Sequence, residues 1–268
     1  MGGRPHRATH AWGLWLVTLI GCVLVGLSLG FHVPLSFPTR QTPPRIALII
    51  DDCGYHDTTF AVLQTLPAPV TVAVLPHLPY SQRIAELETR MPLEVMLHVP
   101  LEPEPGTVPQ GRLEAHTLTT RMSATELRQR LREALASVPH VRGLNNHMGS
   151  QFTQDARAMT ALLEEVKQQD LYFVDSLVTP ASVAERVAQR LDVQFAKRAI
   201  FLDNVNEAEA IRAQLRALAR VAHRHGAAIG IGHDRSLTLT VIREMIPELE
   251  AQGIRLVHVS ALVSEERD

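Results

Sequence analysis

Acidic and imidazole side chains recur at the ends of short β-rich runs in this sequence. Asp51 and Asp52 end the first run, and His98, His147 and His233 stand at the ends of three later runs. Carboxylate oxygens and imidazole nitrogens are the ligands of catalytic zinc sites, which use three protein ligands and leave one position open. A metal in such a site lowers the pKa of water and polarises a carbonyl group. The pattern therefore predicts a metal site, provided that the fold brings these run ends together.

Each of these residues also has a structural interpretation when it is taken alone. A histidine at a strand end is more often hydrogen-bonded within the fold than a ligand, and an aspartate there is often the N-cap of the next helix. Asp203 and Asn204, at the end of another run, are open to the N-cap interpretation. The joint pattern favours a metal site, because ionisable groups recur at one run end after another.

Two adjacent aspartates raise a geometric question. Successive side chains of a regular strand point to opposite faces, so Asp51 and Asp52 cannot both face one site from the middle of a strand. At a strand end the chain turns and both carboxylates can reach the site. One metal ligand and one general base is the division we expect.

The elements that must position these groups alternate regularly along the chain. Short apolar runs are separated by longer amphipathic segments, which predicts a parallel sheet with right-handed crossovers. The predicted strands are Arg45–Asp51, Val70–Leu75, Glu94–Val99, Gly143–His147, Leu171–Asp175, Ala199–Asp203, Ala228–Gly232 and Arg255–Val259. We predict an α/β fold, an irregular barrel of seven to eight β/α units, in which strand carboxyl ends form one rim. A doubly wound open sheet is the alternative, although no glycine-rich nucleotide-binding motif supports it.

The predicted helices carry recognisable start and stop signals. Ser123 with Glu126, and Ser182 with Glu185, have the spacing of capping boxes. The longer predicted helices are Ser123–Ser137, Asp155–Gln169, Asn206–His225 and Thr238–Gln252.

The N-terminal part differs from the rest of the chain. Residues 11–31 contain no charged side chain and follow Arg4 and Arg7, so residues 1–31 are predicted to be a membrane anchor or signal sequence. A cleaved signal peptide and a lipoprotein attached at Cys22 are the alternatives. Residues 32–44 are a Pro-rich linker. Residues 45–268 are then an exported domain of the bacterial envelope, periplasmic or otherwise extracytoplasmic, anchored in the inner membrane through residues 11–31.

Composition excludes several classes of protein. The net charge of -2 gives no support for nucleic-acid binding. Two cysteines exclude a disulfide scaffold and a four-cysteine zinc site.

Several ordered stretches resemble the divergent polysaccharide deacetylase family of bacteria, which is related to metal-dependent carbohydrate esterases. The matching stretches are Ile46–Tyr55, Val72–Tyr80, Glu94–Glu102, Gly143–Thr153, Tyr172–Ser176, Phe201–Asn204 and Ala228–His233. The resemblance spans the whole predicted exported domain and implies an irregular βα barrel. One departure is clear: classical deacetylases carry their metal histidines as H-x-x-x-H, whereas His98 and His147 lie on separate predicted strands.

The resemblance also implies roles for individual residues. Asp52, His98 and His147 look like the metal ligands, Asp51 like the base, and His233 like the acid that protonates the leaving amine. Zinc is the expected divalent metal for this ligand set, although cobalt or manganese would also fit.

Four further residues complete the predicted site. Asp175 would hold an imidazole by a hydrogen bond. Asn145 and Asn146 would orient substrate amides, with a role in holding the turn as the alternative. His77 would line the substrate cleft or cap its loop.

The function expected from the resemblance is hydrolysis of N-acetyl groups on an envelope polysaccharide or peptidoglycan-type substrate. One alternative is a non-catalytic envelope protein that binds glycan or protein and retains the barrel and the metal site. Another is a metal-dependent hydrolase of a different bond.

Overall fold

A computed structural model describes residues 42–57, 60–107 and 113–263 of the chain. The predicted anchor and most of the predicted linker lie outside these residues. Within the described ranges, none of the helices combines the length and the apolar character that crossing a bilayer requires.

The described residues form one parallel sheet whose strands alternate with helices. Its strands are β1 (Arg45–Cys53), β2 (Val70–Val74), β3 (Leu93–Leu101), β4 (Val141–Met148), β5 (Tyr172–Asp175), β6 (Phe195–Lys197), β7 (Ile200–Phe201), β8 (Ala227–His233) and β9 (Arg255–Val257). The order is β6-β5-β4-β3-β2-β1-β8-β7, and β9 pairs with the beginning of β1. The edge strands β6 and β7 are consecutive in the chain. The sheet therefore curls into an irregular barrel, as predicted.

Helices cover the outside of this barrel, and a last short helix closes its amino end. They are α1 (Phe60–Leu63), α2 (Ser81–Ala85), α3 (Ala124–Ala136), α4 (Ala156–Gln168), α5 (Ala184–Leu191), α6 (Ala208–His225), α7 (Ser236–Ala251) and α8 (Ser260–Val263), with 3-10 turns at Glu86–Thr89 and Phe152–Gln154. The Ser123 hydroxyl accepts a hydrogen bond from the Glu126 amide at 3.2 Å, which confirms the predicted N-cap of α3.

The predicted capping box at Ser182 forms only in part. Helix α5 has Val183 at its N-cap position, with no side-chain cap bond. The Ser182 hydroxyl, one residue earlier, accepts from the Ala184 amide at 3.2 Å and donates to the Asp175 carboxylate at 2.6 Å. The hydroxyl therefore joins the start of the helix to a nearby buried carboxylate.

Strand alternation divides the buried residues into two layers. Ala47 and Ile49 belong to a cluster formed mostly by strand residues, inside the barrel. Ile46, Leu48 and Ile50 belong to the larger cluster that includes the helices. Every second residue of a strand therefore faces the barrel interior, and this rule decides which polar side chains can meet at the rim.

Candidate metal centre

The first strand presents two neighbouring carboxylates because its end is irregular. The register of β1 against β2 shifts between Ile50 and Cys53, and Asp52 adopts a left-handed backbone conformation with φ of 63°. Asp51 continues the inward row of Ala47 and Ile49, whereas a regular strand would direct Asp52 outward. The irregularity turns Asp52 back towards the site, as a β-bulge does. The expectation that both carboxylates reach the site is thereby explained.

Three side chains from three strands converge on this end of the barrel. Asp52 Oδ1 lies 3.2 Å from His98 Nε2 and 3.1 Å from His147 Nδ1. One potential ligand atom from each residue lies within 4.8 Å of the other two. His98 is buried in β3, and His147 is partly buried near the end of β4. The predicted ligand set is therefore brought together as one potential metal site.

The negative charges of this cluster favour the binding of a positive charge. Burial alone would raise the pKa of Asp52, but hydrogen bonds with His147 and His98 hold it well below its usual range. Burial alone would lower the pKa of His98, but the carboxylates of Asp51 and Asp52 raise it to about 9. Two carboxylates beside a buried imidazole thus strongly favour bound positive charge, which a proton or a cation can supply.

The donor set also fits a divalent cation by its chemistry. Aspartate with two histidines is a common three-ligand arrangement for catalytic zinc. In addition, Nε2 of His147 is buried and has no hydrogen-bond partner in the part of the chain that the structure describes. A ring that the protein satisfies only partly is expected where a ligand completes the site.

Asn145 connects the predicted base to a predicted ligand. Its Oδ1 lies 2.8 Å from His98 Nδ1, and its Nδ2 donates to Asp51 Oδ1 at 2.8 Å. Because the amide oxygen only accepts, Nδ1 of His98 carries the proton and Nε2 faces Asp52. Asn145 is fully buried and both ends of its amide are already engaged. Asn145 thus holds His98 and Asp51 in position, and its contact with a substrate amide stays a prediction.

Asp51 occupies the position expected of a base beside the cluster. Its carboxylate is 3% exposed and lies 3.7 Å from His98 Nε2. Burial raises its pKa, while His98 and Asn145 act in the opposite direction. A carboxylate with a raised pKa accepts a proton more readily than an ordinary one.

His233 lies on the neighbouring strand, in register with Asp51. Its Nδ1 donates to Asp203 Oδ1 at 2.7 Å, and its backbone amide donates to Asp203 Oδ2 at 3.0 Å. Burial lowers the pKa of His233, but the Asp203 carboxylate outweighs this effect and raises it. The hydrogen bond from His233 holds the pKa of Asp203 at about 2, although burial alone would raise it.

For Asp203, the sequence by itself suggested no role in the site beyond a possible helix N-cap. Its carboxylate is fully buried and also accepts from the Thr238 hydroxyl at 2.7 Å. The N-cap interpretation is wrong, because the N-cap of α6 is Glu207. In the sequence, Asp203 could have been identified as a site residue by its position at the end of a predicted strand, where the site was expected.

Arg198 lies close to the site, in the connection between the two edge strands. Its guanidinium group stacks over the Phe201 ring at 3.8 Å and donates to the carbonyl oxygens of Ser176 and Leu177 at 2.7 and 3.0 Å. Burial lowers its pKa, against the influence of Asp175 and Asp51. The arginine therefore fixes the loop after β5 and adds positive charge near Asp51.

Asp175 does not hold an imidazole. Asp175 lies two residues after Phe173, on the same face of β5, and Phe173 belongs to the outer cluster. The Asp175 side chain therefore points away from the barrel interior. Its carboxylate accepts from the Leu177 amide at 2.8 Å and from the Ser182 hydroxyl. The predicted role belongs to Asp203 instead.

Asn146 and His77 are also placed outside the ligand cluster. Asn146 donates to the Met148 carbonyl at 2.7 Å and accepts from the Ser176 amide at 2.8 Å, which is the alternative role of holding the turn. His77 is exposed, and its ring lies 4.2 Å from that of His116. Its backbone amide donates to the Ser137 hydroxyl.

Comparisons with known proteins concern the family and the fold of this chain. Residues 48–263 match the family described as "Divergent polysaccharide deacetylase". The uncharacterized protein YibQ of Escherichia coli K12 is 32% identical over 237 residues, covering 88% of this chain and 73% of that protein.

Solved structures share the fold. The uncharacterized protein ATU2773 of Agrobacterium tumefaciens C58 is 26% identical, with a TM-score of 0.77 over 82% of this chain and 89% of that one. The Bc1960 peptidoglycan N-acetylglucosamine deacetylase is 9% identical, with a TM-score of 0.51 over 84% of this chain and 90% of that one. The second likeness concerns the fold alone.

Proposed function

Because this chain belongs to the divergent polysaccharide deacetylase family, we propose that it is a metal-dependent enzyme hydrolysing N-acetyl groups on an envelope polysaccharide. The observation that carries the proposal is the meeting of three potential ligands with a buried carboxylate and an acid-paired imidazole. A protein that merely held a metal would need neither of the last two groups.

Asp52, His98 and His147 would hold the divalent cation, for which zinc is our candidate. Once bound there, the cation would polarise the acetyl carbonyl and make water more acidic. The remaining steps belong to side chains of this chain.

Asp51 acts as the general base. It removes a proton from the attacking water, and Asn145 holds its carboxylate in place through Oδ1. The water oxygen bonds to the acetyl carbon as the C–N bond breaks.

His233 acts as the general acid. Its Nδ1 is bonded to Asp203, so Nε2 is the ring nitrogen that remains to donate a proton to the departing nitrogen. The products are acetate and a free sugar amine. Asp203 favours the protonated ring that this step requires, because its carboxylate raises the pKa of His233.

We also place this reaction outside the cytoplasm. The uncharged residues 11–31 and the preceding arginines support export and inner-membrane anchoring. A fold shared with a peptidoglycan N-acetylglucosamine deacetylase makes N-acetylated envelope sugars the first substrate class to test.

The decisive experiment combines metal analysis with acetate release from N-acetylglucosamine oligomers and peptidoglycan. Full-length wild-type protein should carry one equivalent of metal, whereas Asp52→Ala, His98→Ala and His147→Ala should lose it. Asp51→Asn should keep the metal but lose roughly 10²–10⁴-fold in rate, the usual contribution of a general base. Glu250→Gln, an exposed change on α7, is the matched control and should leave both properties unchanged.

Two results would contradict the proposal. Full acetate release by Asp51→Asn would remove the assigned base. Absence of acetate release from wild-type protein that retains the metal would favour the non-catalytic binding protein.

A further inference from the structure

A cleft lies at the same rim of the barrel as the metal-ligand cluster, between described residues that follow β3, β4 and β5. Its volume is about 410 Å³, and its lining includes Met148, which directly follows His147. Glu104, Ser150 and Thr179 provide polar lining from the three different loops. None of the proposed metal ligands lines the cleft, but a chain of sugars that crosses this rim of the barrel would meet both the cleft and the metal centre.

Hydrogen bonds hold one wall of the cleft in place. The Glu104 amide donates to the Ser150 hydroxyl at 2.9 Å, and the Gln154 side chain donates to Glu104 Oε1 at 2.8 Å. The amides of Gln151 and Phe152 both donate to the Glu102 carbonyl, at 3.1 and 3.0 Å. The loop after β3 is thus tied to the loop after β4, and the Glu104 carboxylate is held by a neutral donor.

The opposite wall is tied down by groups that the proposed reaction does not use. Val178 and Pro180 line it, and the residues just before them are held by Asp175 and Arg198. Asp175 accepts from the Leu177 amide, and Arg198 donates to the Leu177 carbonyl. Because both walls are anchored, the cleft is formed before any ligand arrives, which reduces the entropic cost of binding.

The charge of the cleft limits what it can bind. Among the described lining residues, Glu104 is the one that can ionise. The hydroxyls of Thr107, Ser150 and Thr179 suit the hydroxyl groups of a sugar, while the carboxylate attracts an ammonium group and repels another carboxylate.

We propose that this cleft binds the sugar next to the reacting one and that Glu104 selects for a free amino group on it. The preferred glycan would be a partly deacetylated amino-sugar chain rather than one with a carboxylate at that position. This inference rests on the proposed function, because the same glycan must cross both the cleft and the metal centre. The preferred substrate would be a chain in which the enzyme has already deacetylated the neighbouring sugar.

The test measures binding of a glucosamine tetramer, which has no acetyl group to lose, to the full-length protein by calorimetry. Glu104→Gln keeps an oxygen that can accept from Gln154 but removes the charge. Because the carboxylate is exposed, we expect about a fivefold weakening at low salt, the upper range for a solvated ion pair. Glu250→Gln makes the same charge change away from the cleft and should bind like the wild type.

Binding of the neutral N-acetylglucosamine tetramer, measured in the Asp51→Asn background, should not respond to Glu104→Gln. Equal affinity of wild type and Glu104→Gln for the glucosamine tetramer would overturn the inference. So would equally tight binding of a muramic-acid-containing tetramer, which carries carboxylates. If the glucosamine tetramer binds as expected but wild type releases no acetate, the proposed hydrolysis fails while the cleft assignment stands.

Discussion

The two ends of the barrel each hold a carboxylate, buried at the amino end and one third exposed at the carboxyl end, and they surround it with different partners. At the amino end, Glu94 is 5% exposed, and its Oε1 accepts from the Thr71 hydroxyl, the Tyr172 hydroxyl and the Ser260 amide at 3.2, 2.7 and 3.1 Å. At the carboxyl end, the carboxylate of Asp52 faces the imidazoles of two histidines.

The difference distinguishes a polar cluster that the fold itself satisfies from a potential metal site. The donors around Glu94 are neutral and come from different strands and from the start of α8, so they close the bottom of the barrel. The partners of Asp52 are titratable, and one of them keeps a buried nitrogen without a partner among the described residues. A carboxylate surrounded by neutral donors stabilises the fold, whereas an imidazole that the protein satisfies only partly is available to a ligand.

The largest expected effect is a loss of stability caused by a substitution at the amino end of the barrel. Glu94→Ala leaves the donors of Thr71, Tyr172 and Ser260 without their buried acceptor, so the free energy of unfolding should fall by about 3 kcal/mol. Thermal unfolding should show a drop of roughly 6–12 °C for a domain of this size. Metal content should not change.

The control is Glu88→Ala at the same end of the barrel. Its side chain is 24% exposed and lies 3.8 Å from His140, so its loss should cost less than about 0.5 kcal/mol. A Tm for Glu94→Ala equal to that of the wild type would refute the structural assignment of this cluster.

The next effect concerns metal affinity at the carboxyl end. Asn145→Ala removes the amide that orients His98 and Asp51, and affinity should fall about 10–100-fold, as for other residues that orient metal ligands. Competition with a chelator would measure it. Asn146→Ala is the matched control, because the neighbouring amide is equally buried but contacts neither residue. Equal losses in both variants would mean that the effect is general loosening of β4.

The smallest effect is a pH dependence of stability from the Asp203–His233 pair. The pKa of His233 is raised in the folded protein, so its contribution is complete below its ordinary pKa of 6.5 and is lost as pH rises through the folded value. The pKa of Asp203 is lowered from 3.8 to about 2, so its contribution is lost only as pH falls through that acidic range. The pair therefore stabilises most between about pH 4 and 6.5.

Asp203→Asn tests this dependence. We expect the variant to be less stable than the wild type by about 1 kcal/mol at pH 5.5, and by less as the pH rises through the raised pKa of His233. Thermal unfolding at pH 5.5 and at a pH above that pKa measures the difference. A gap that stays constant with pH would show that this pair is not ionised in the folded protein.

Much of this site was predictable because strand alternation is a local property. Ile229 and Ile231 belong to the inner cluster, and His233 continues their parity to the rim. His98 follows Met96 in the same way. The same rule places Asp175 outside the metal centre, because it lies two residues after Phe173 of the outer layer.

Other features depend on partners that are distant in the chain. Strand β6, from Phe195 to Lys197, was not predicted, because it is short and partly exposed and so has no continuous apolar run. Asp203 is identified as the partner of His233 only when β7 and β8 lie side by side. The hydrogen bond from Ser182 to Asp175 likewise needs the folded loop.

By itself the sequence determined the alternation of strands and helices, the barrel and the inward row of polar residues at its rim, because periodicity and residue type are local properties. Only the tertiary structure decided how the β1 irregularity directs Asp52 and which carboxylate holds His233. It also decided that Asn145 spans Asp51 and His98. These outcomes depend on register and on competition for buried hydrogen bonds, which are settled when strands far apart in the chain pack together.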